Sequence, residues 1–187
     1  MALAKTIVYF FFAVLLAILL YGSQIVLAIL MYGTGDMTLA LISIPSFRNC
    51  PYPISIQQYL ILYLAVKVLA ALFYASVIMA MLTRRWRFGI AASACVVVIC
   101  LEYLAYEQIN SVSKWNALKY LNLAAVIDAK AWFCGYHNLN ILSQPFSVVT
   151  GKLLLVLCGI ILLPVVSCIS FSKENERIQE SCLVVFN

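Results

Sequence analysis

The sequence predicts an all-α integral membrane bundle of four transmembrane helices with an outer interfacial helix. Three observations predict it. Of the 187 residues, 65% are hydrophobic and only 10% are charged, with a mean hydropathy of +1.03; a soluble domain is roughly 45–50% apolar and about 25% charged. Four apolar stretches, at 7–32, 58–82, 88–109 and 148–171, each reach the roughly 20 residues that a bilayer-spanning helix needs. Lipid offers backbone groups no hydrogen bonds, so stretches of this kind are helical. The chain is therefore read as a single membrane domain, 1–187, with an outer cap region at 110–147 and a cytoplasmic tail at 172–187.

The first stretch begins after Lys5 and continues past Leu20 to Met31. It is too long for a signal-peptide core and is followed by no clear small-residue cleavage site, so an uncleaved span is expected. Gly22-Ser23-Gln24 interrupts it, and these polar groups are expected to face neighbouring helices. Residues 33–57 carry loop chemistry in Gly33, Gly35, Pro45, Pro51 and Pro53. The second and third stretches are joined by Thr83-Arg84-Arg85-Trp86-Arg87, a turn short enough to make them a hairpin. On that hairpin Ala71 and Ala75, and Ala91 and Cys95, supply small faces that permit close helix contact.

Within 110–147, Val112, Trp115, Leu118, Leu121 and Ala125 recur at three- and four-residue steps, while Lys114, Lys119 and Asn122 fall off that stripe. This is helical amphipathicity, and it predicts a helix lying at or dipping into the outer interface. Trp115 and Trp132 suit the headgroup level. In the last stretch Pro164 removes one helical hydrogen bond, and with Gly159 it marks a candidate hinge.

Orientation follows from the positive charges. Lys5, Arg84, Arg85, Arg87, Lys173 and Arg177 fall on one side; the longer segments of the other side hold Arg48, Lys114, Lys119 and Lys130. The first side is expected to be cytoplasmic, giving a multi-pass cell-membrane protein with both termini inside. Lys67 and Glu102 lie within the second and third stretches. By helical rise they stand about 24 Å and about 21 Å from the hairpin turn, so an intramembrane charge pair is expected. It is read first as a device that fixes packing, and second as a proton or substrate contact.

Enzyme chemistry is not expected. No Walker loop, nucleophile elbow or paired-carboxylate motif is present, and the one histidine, His137, excludes a multi-histidine metal centre. No cofactor is implied, and the 12 basic residues form no block dense enough to bind nucleic acid. None of the seven cysteines are spaced as C-x-x-C, which weakens a four-span thiol–quinone oxidoreductase reading. Cys50 and Cys134 share the outer side, where a disulfide and two free thiols are equally compatible with the sequence.

Three local patterns occur in a suggestive order. Pro51-Tyr52-Pro53-Ile54-Ser55-Ile56 runs into Gln58-Tyr59-Leu60; Lys119-Tyr120-Leu121-Asn122-Leu123 lies in the outer segment; Tyr136-His137-Asn138-Leu139-Asn140-Ile141 and then Pro145 precede the last span. Together, over residues 33–171, they resemble permease subunits of Gram-positive type-2 ABC exporters. The resemblance implies that these spans correspond to the family's last four, in a truncated or split subunit. It further implies that 110–147 caps the pathway, and that ATP is hydrolysed by a separate ATPase subunit working with further permease spans. The rival expectation is a non-transporting accessory or immunity-type membrane protein.

Overall fold

The computed structural model describes residues 2–82, 88–108, 120–134, 138–141 and 144–185. Four long helices dominate: α1 (Ala2–Tyr32), α2 (Ile56–Leu82), α3 (Phe88–Gln108) and α6 (Val148–Val185). Among the described residues between α3 and α6 are the short helices α4 (Leu123–Ile127) and α5 (Lys130–Phe133). They are followed by an antiparallel pair, β1 (Asn138–Ile141) and β2 (Gln144–Ser147), with Asn138 opposite Ser147. Among the described residues, three segments are long and apolar enough to cross a membrane: Thr6–Tyr32, Ile56–Leu82 and Val148–Ser170. The protein is a multi-pass helical membrane protein. The helix α3 carries a shorter apolar run, Ala92–Leu104.

The helix α2 is the hub, packing against α1, α3 and α6. Its buried positions, Val66, Ala70, Phe73, Ser76 and Met79, recur every three or four residues and form one stripe. The helix α1 passes through Gly22-Ser23-Gln24 without a break, and the Ser23 hydroxyl donates to the Leu20 carbonyl at 2.9 Å. Ser76, Ser93 and Ser167 likewise donate to carbonyls of their own helices. Returning a hydroxyl to the preceding turn satisfies it without any partner from lipid.

The start of α2 is set by local chemistry. The Ser55 hydroxyl accepts the Gln58 amide N–H at 3.3 Å, and the Gln58 side-chain oxygen accepts the Ser55 N–H at 3.0 Å. This reciprocal box satisfies two otherwise orphaned donors and begins the helix at Ile56, two residues before the expected boundary. The end of α1 is equally local: the Gly33 N–H donates to the Ile29 carbonyl at 2.8 Å while Gly33 adopts φ 76°, a left-handed stop that glycine takes without strain. The loop 33–55 then folds back over the bundle. Leu41, fully buried, donates its N–H to the Ile54 carbonyl at 2.8 Å, and Ile56 donates to Leu39 at 3.0 Å.

The polar segment after 171, expected as an extension beyond the span, continues α6 as helix to Val185. It holds neither Gly nor Pro and is rich in Lys, Glu and Arg, all good helix formers. At Pro164 the helix is continuous. Gly159 serves packing: a Cβ placed there would lie 2.3 Å from Cε2 of the Phe73 ring, so α2 and α6 meet where this side chain is absent.

Candidate functional site

The site is the seat of α4 and α5, packed against α2 and α6. Asn122 begins α4, its side-chain oxygen accepting the Ala125 N–H at 2.5 Å. Asp128 joins the two helices by accepting the Lys130 N–H at 3.0 Å. One face of the pair is buried at Val126, Ala129, Trp132 and Phe133; the other exposes Asp128 and Lys130. The buried face shares one core with Leu41 and Cys50 of the outer loop, Val66, Ala70 and Phe73 of α2, and Val156 of α6. The cap thus enters the helix bundle rather than resting upon it. Trp132, expected at the headgroup level, is 5% exposed and donates its indole N–H to the Val126 carbonyl at 3.3 Å. A large aromatic body with its one polar atom satisfied by the cap's own backbone can be buried without cost.

Two lysines meet this cap from below. Lys67 lies eleven residues into α2, about 16 Å of rise from its outer end. Its Nζ donates to the Ile127 carbonyl at 2.8 Å and lies 4.8 Å and 5.4 Å from the ring centroids of Tyr21 and Tyr63. Ile127 is the last residue of α4, so its carbonyl has no acceptor role within the helix. The ammonium supplies the missing donor at the negative helix end, its alkyl stem snorkelling along α2. The second lysine, Lys152, is fully buried, and its Nζ lies 5.8 Å from the Trp132 ring centroid, within reach of a cation–π attraction. The Asp128 carboxylate acts on both amines through space.

The sequence-predicted residues distribute as follows. Among the described residues, the Lys67 amine meets Ile127 and two tyrosine rings rather than the Glu102 carboxylate. A backbone carbonyl at a helix end satisfies the amine without bringing a second ion out of water. Glu102 is half-buried on α3, with Tyr74 and Cys95 as electrostatic neighbours. Leu121 is half-buried, its Cδ2 covering Gly151 of α6. Trp115, Leu118, Arg84, Arg85, Arg87 and His137 lie outside the described residues. Cys50 and Cys134 are free thiols; Cys50 donates to the Tyr52 carbonyl at 3.7 Å and Cys134 to the Ser46 carbonyl at 3.5 Å. Burial pushes the Cys134 thiol above its ordinary value.

Sequence reasoning passed over Lys152. Four residues into the last span, it reads as an end lysine free to reach water; only the cap above it shows otherwise. The signal was a lysine immediately after Gly151, where α6 admits a close neighbour. Chemically, the site combines two amines, aromatic faces and an adjacent carboxylate. Among the described residues no group of three or more His, Cys, Asp or Glu side chains could hold a metal. The arrangement holds a charged segment in place and presents cationic character beneath it. Comparison with known protein families, curated proteins and solved structures finds no match.

A docked cap has a direct signature. Amides of 120–134 should exchange slowly in nanodiscs, with Val126 and Trp132 as protected as the middle of α2. Exchange across this segment as fast as in an unfolded peptide would show that the cap is not seated.

Proposed function

We propose that this protein is a membrane permease subunit of an ABC-type exporter and forms part of a substrate pathway, with ATP hydrolysed by a separate subunit. The observation that supports this reading is the cap. A folded segment of the outer side enters a helical membrane bundle and is seated there by amines from two different helices, as an outer gate over a pathway would be. In this reading α3 also crosses the membrane as the third of four spans, pairing with α2 as a hairpin, and further spans come from other subunits.

The test is purification of the tagged chain in mild detergent from its native membrane. The expected result is co-purification of an ATP-hydrolysing subunit whose activity responds to this chain. Recovery of the chain free of any ATPase, with its cellular role intact when all such candidates are deleted, would favour the accessory reading.

The same reading places residues 1–6, 83–87 and 172–187 in the cytoplasm, because that side gathers the arginines. Arg85→Cys, as the single cysteine of an otherwise cysteine-free chain, should resist an impermeant maleimide in intact cells and react after permeabilisation. Labelling from outside would reverse the orientation.

A further inference from the structure

At the outer end of the bundle α1 and α2 part, leaving a cavity of about 550 Å³. Its walls are Ile25, Ala28, Ile29 and Tyr32 of α1 and Tyr59 and Tyr63 of α2, roofed by the outer loop. From Gln24 at one end to Tyr32 at the other is eight residues, about 12 Å of rise. One leaflet of bilayer hydrocarbon is about 15 Å deep, so the groove follows most of the outer leaflet. Ala28 makes it deep, since a larger residue there would fill it. The adjoining α1 surface is apolar and exposed at Val26, Leu27 and Leu30, so the groove opens where lipid lies.

One carboxylate stands next to the lip in the chain. Gly33 and Gly35, both at positive φ, turn the chain at the lip and place Asp36 between the groove residues Thr34 and Met37. The Asp36 carboxylate accepts the Thr38 N–H at 3.1 Å and its hydroxyl at 2.5 Å. Those bonds hold it below its ordinary value, so it is ionised at neutral pH.

We propose that this groove is a binding site for one outer-leaflet phospholipid with a zwitterionic, amine-bearing headgroup. One acyl chain lies between α1 and α2 against the faces of Tyr59 and Tyr63. The amine lies at Asp36, the carboxylate between the groove residues Thr34 and Met37. The site does not depend on transport, and its test reads no transport activity.

The test uses the full chain in nanodiscs carrying phosphatidylethanolamine or phosphatidylglycerol with a diazirine on the acyl chain. The expected result is photolabelling concentrated at residues 25–32 and 59–63, stronger with phosphatidylethanolamine. Ala28→Trp should reduce that labelling to the level of the remaining helix surface. Asp36→Asn, at an exposed loop position where folding is not at stake, should leave total labelling intact. It should reduce the headgroup preference by about twofold to fivefold, the range of an exposed ion pair. Labelling spread evenly over the apolar helix surfaces would overturn the site. Equal labelling by the two lipids, or a preference unchanged in the Asp36→Asn chain, would overturn the headgroup assignment.

Discussion

Gly159→Ala should lower the stability of the bundle by about 1–3 kcal/mol, the usual cost of forcing a methyl group into a filled core. The magnitude follows from the α2–α6 contact. The added Cβ would stand 2.3 Å from Cε2 and 2.6 Å from Cδ2 of Phe73. Phe73 cannot swing into open space, because it is 5% exposed and its ring stands edge-on to Tyr74 at 5.7 Å between centroids. One of the two helices must therefore move. The control is Phe73→Leu, which vacates the volume the methyl needs. Alone it loses packing; combined with Gly159→Ala it should lose less than the sum of the two single effects. Thermal unfolding in a mild detergent measures all four forms. Simple additivity would show that the two residues do not meet.

Lys67→Met should undock the cap while leaving the long helices intact. The substitution leaves the part-buried Ile127 carbonyl without its donor, a loss of about 1 kcal/mol, the low end of the cost of an unsatisfied acceptor. It also removes the attraction of the ammonium to the Tyr21 and Tyr63 rings, about 0.5–1 kcal/mol. Opposing this is the relief of placing an apolar side chain where an amine was desolvated. Lys67 is only half-buried, so that relief is the smaller quantity. Hydrogen exchange should quicken across 120–134 and stay unchanged in the middle of α2. Lys67→Gln, which keeps an N–H donor, should lose less. Adding Glu102→Gln should change the Lys67→Met effect little, because the amine is held by Ile127. A strong coupling between positions 67 and 102 would restore the direct charge pair and remove the basis for the seat.

The long apolar helices were legible because hydropathy acts over whole windows and lipid permits no alternative to helix. The start of α2 was within reach as well: Ser55 and Gln58 stand three apart, the spacing of a reciprocal cap, immediately before an apolar run. Tertiary partners were not legible. Depth arithmetic placed Lys67 and Glu102 at one level, but a level leaves open which way each side chain turns around its helix. The Ile127 carbonyl competes for the amine and leaves no mark in side-chain chemistry, since every residue has one. Trp132 was placed at the headgroup level by its residue type; its burial depends on the cap folding inward, which amphipathicity alone does not specify. Gly159 invited a hinge through its nearness to Pro164. Its contact with Phe73 is a property of two helices, visible only when they are packed together.

The bond between Lys67 and Ile127 spans 60 residues of chain, and that separation has a meaning in time. At roughly 5–20 residues per second, the ribosome adds the Ile127 carbonyl some seconds after Lys67 has been made. For that interval α2 carries a cation into the membrane without its acceptor, at a cost of a few kcal/mol if the amine sits near the bilayer centre. The order of synthesis thus puts the cation of α2 ahead of the carbonyl that receives it, and the bond can close only after α4 has been made.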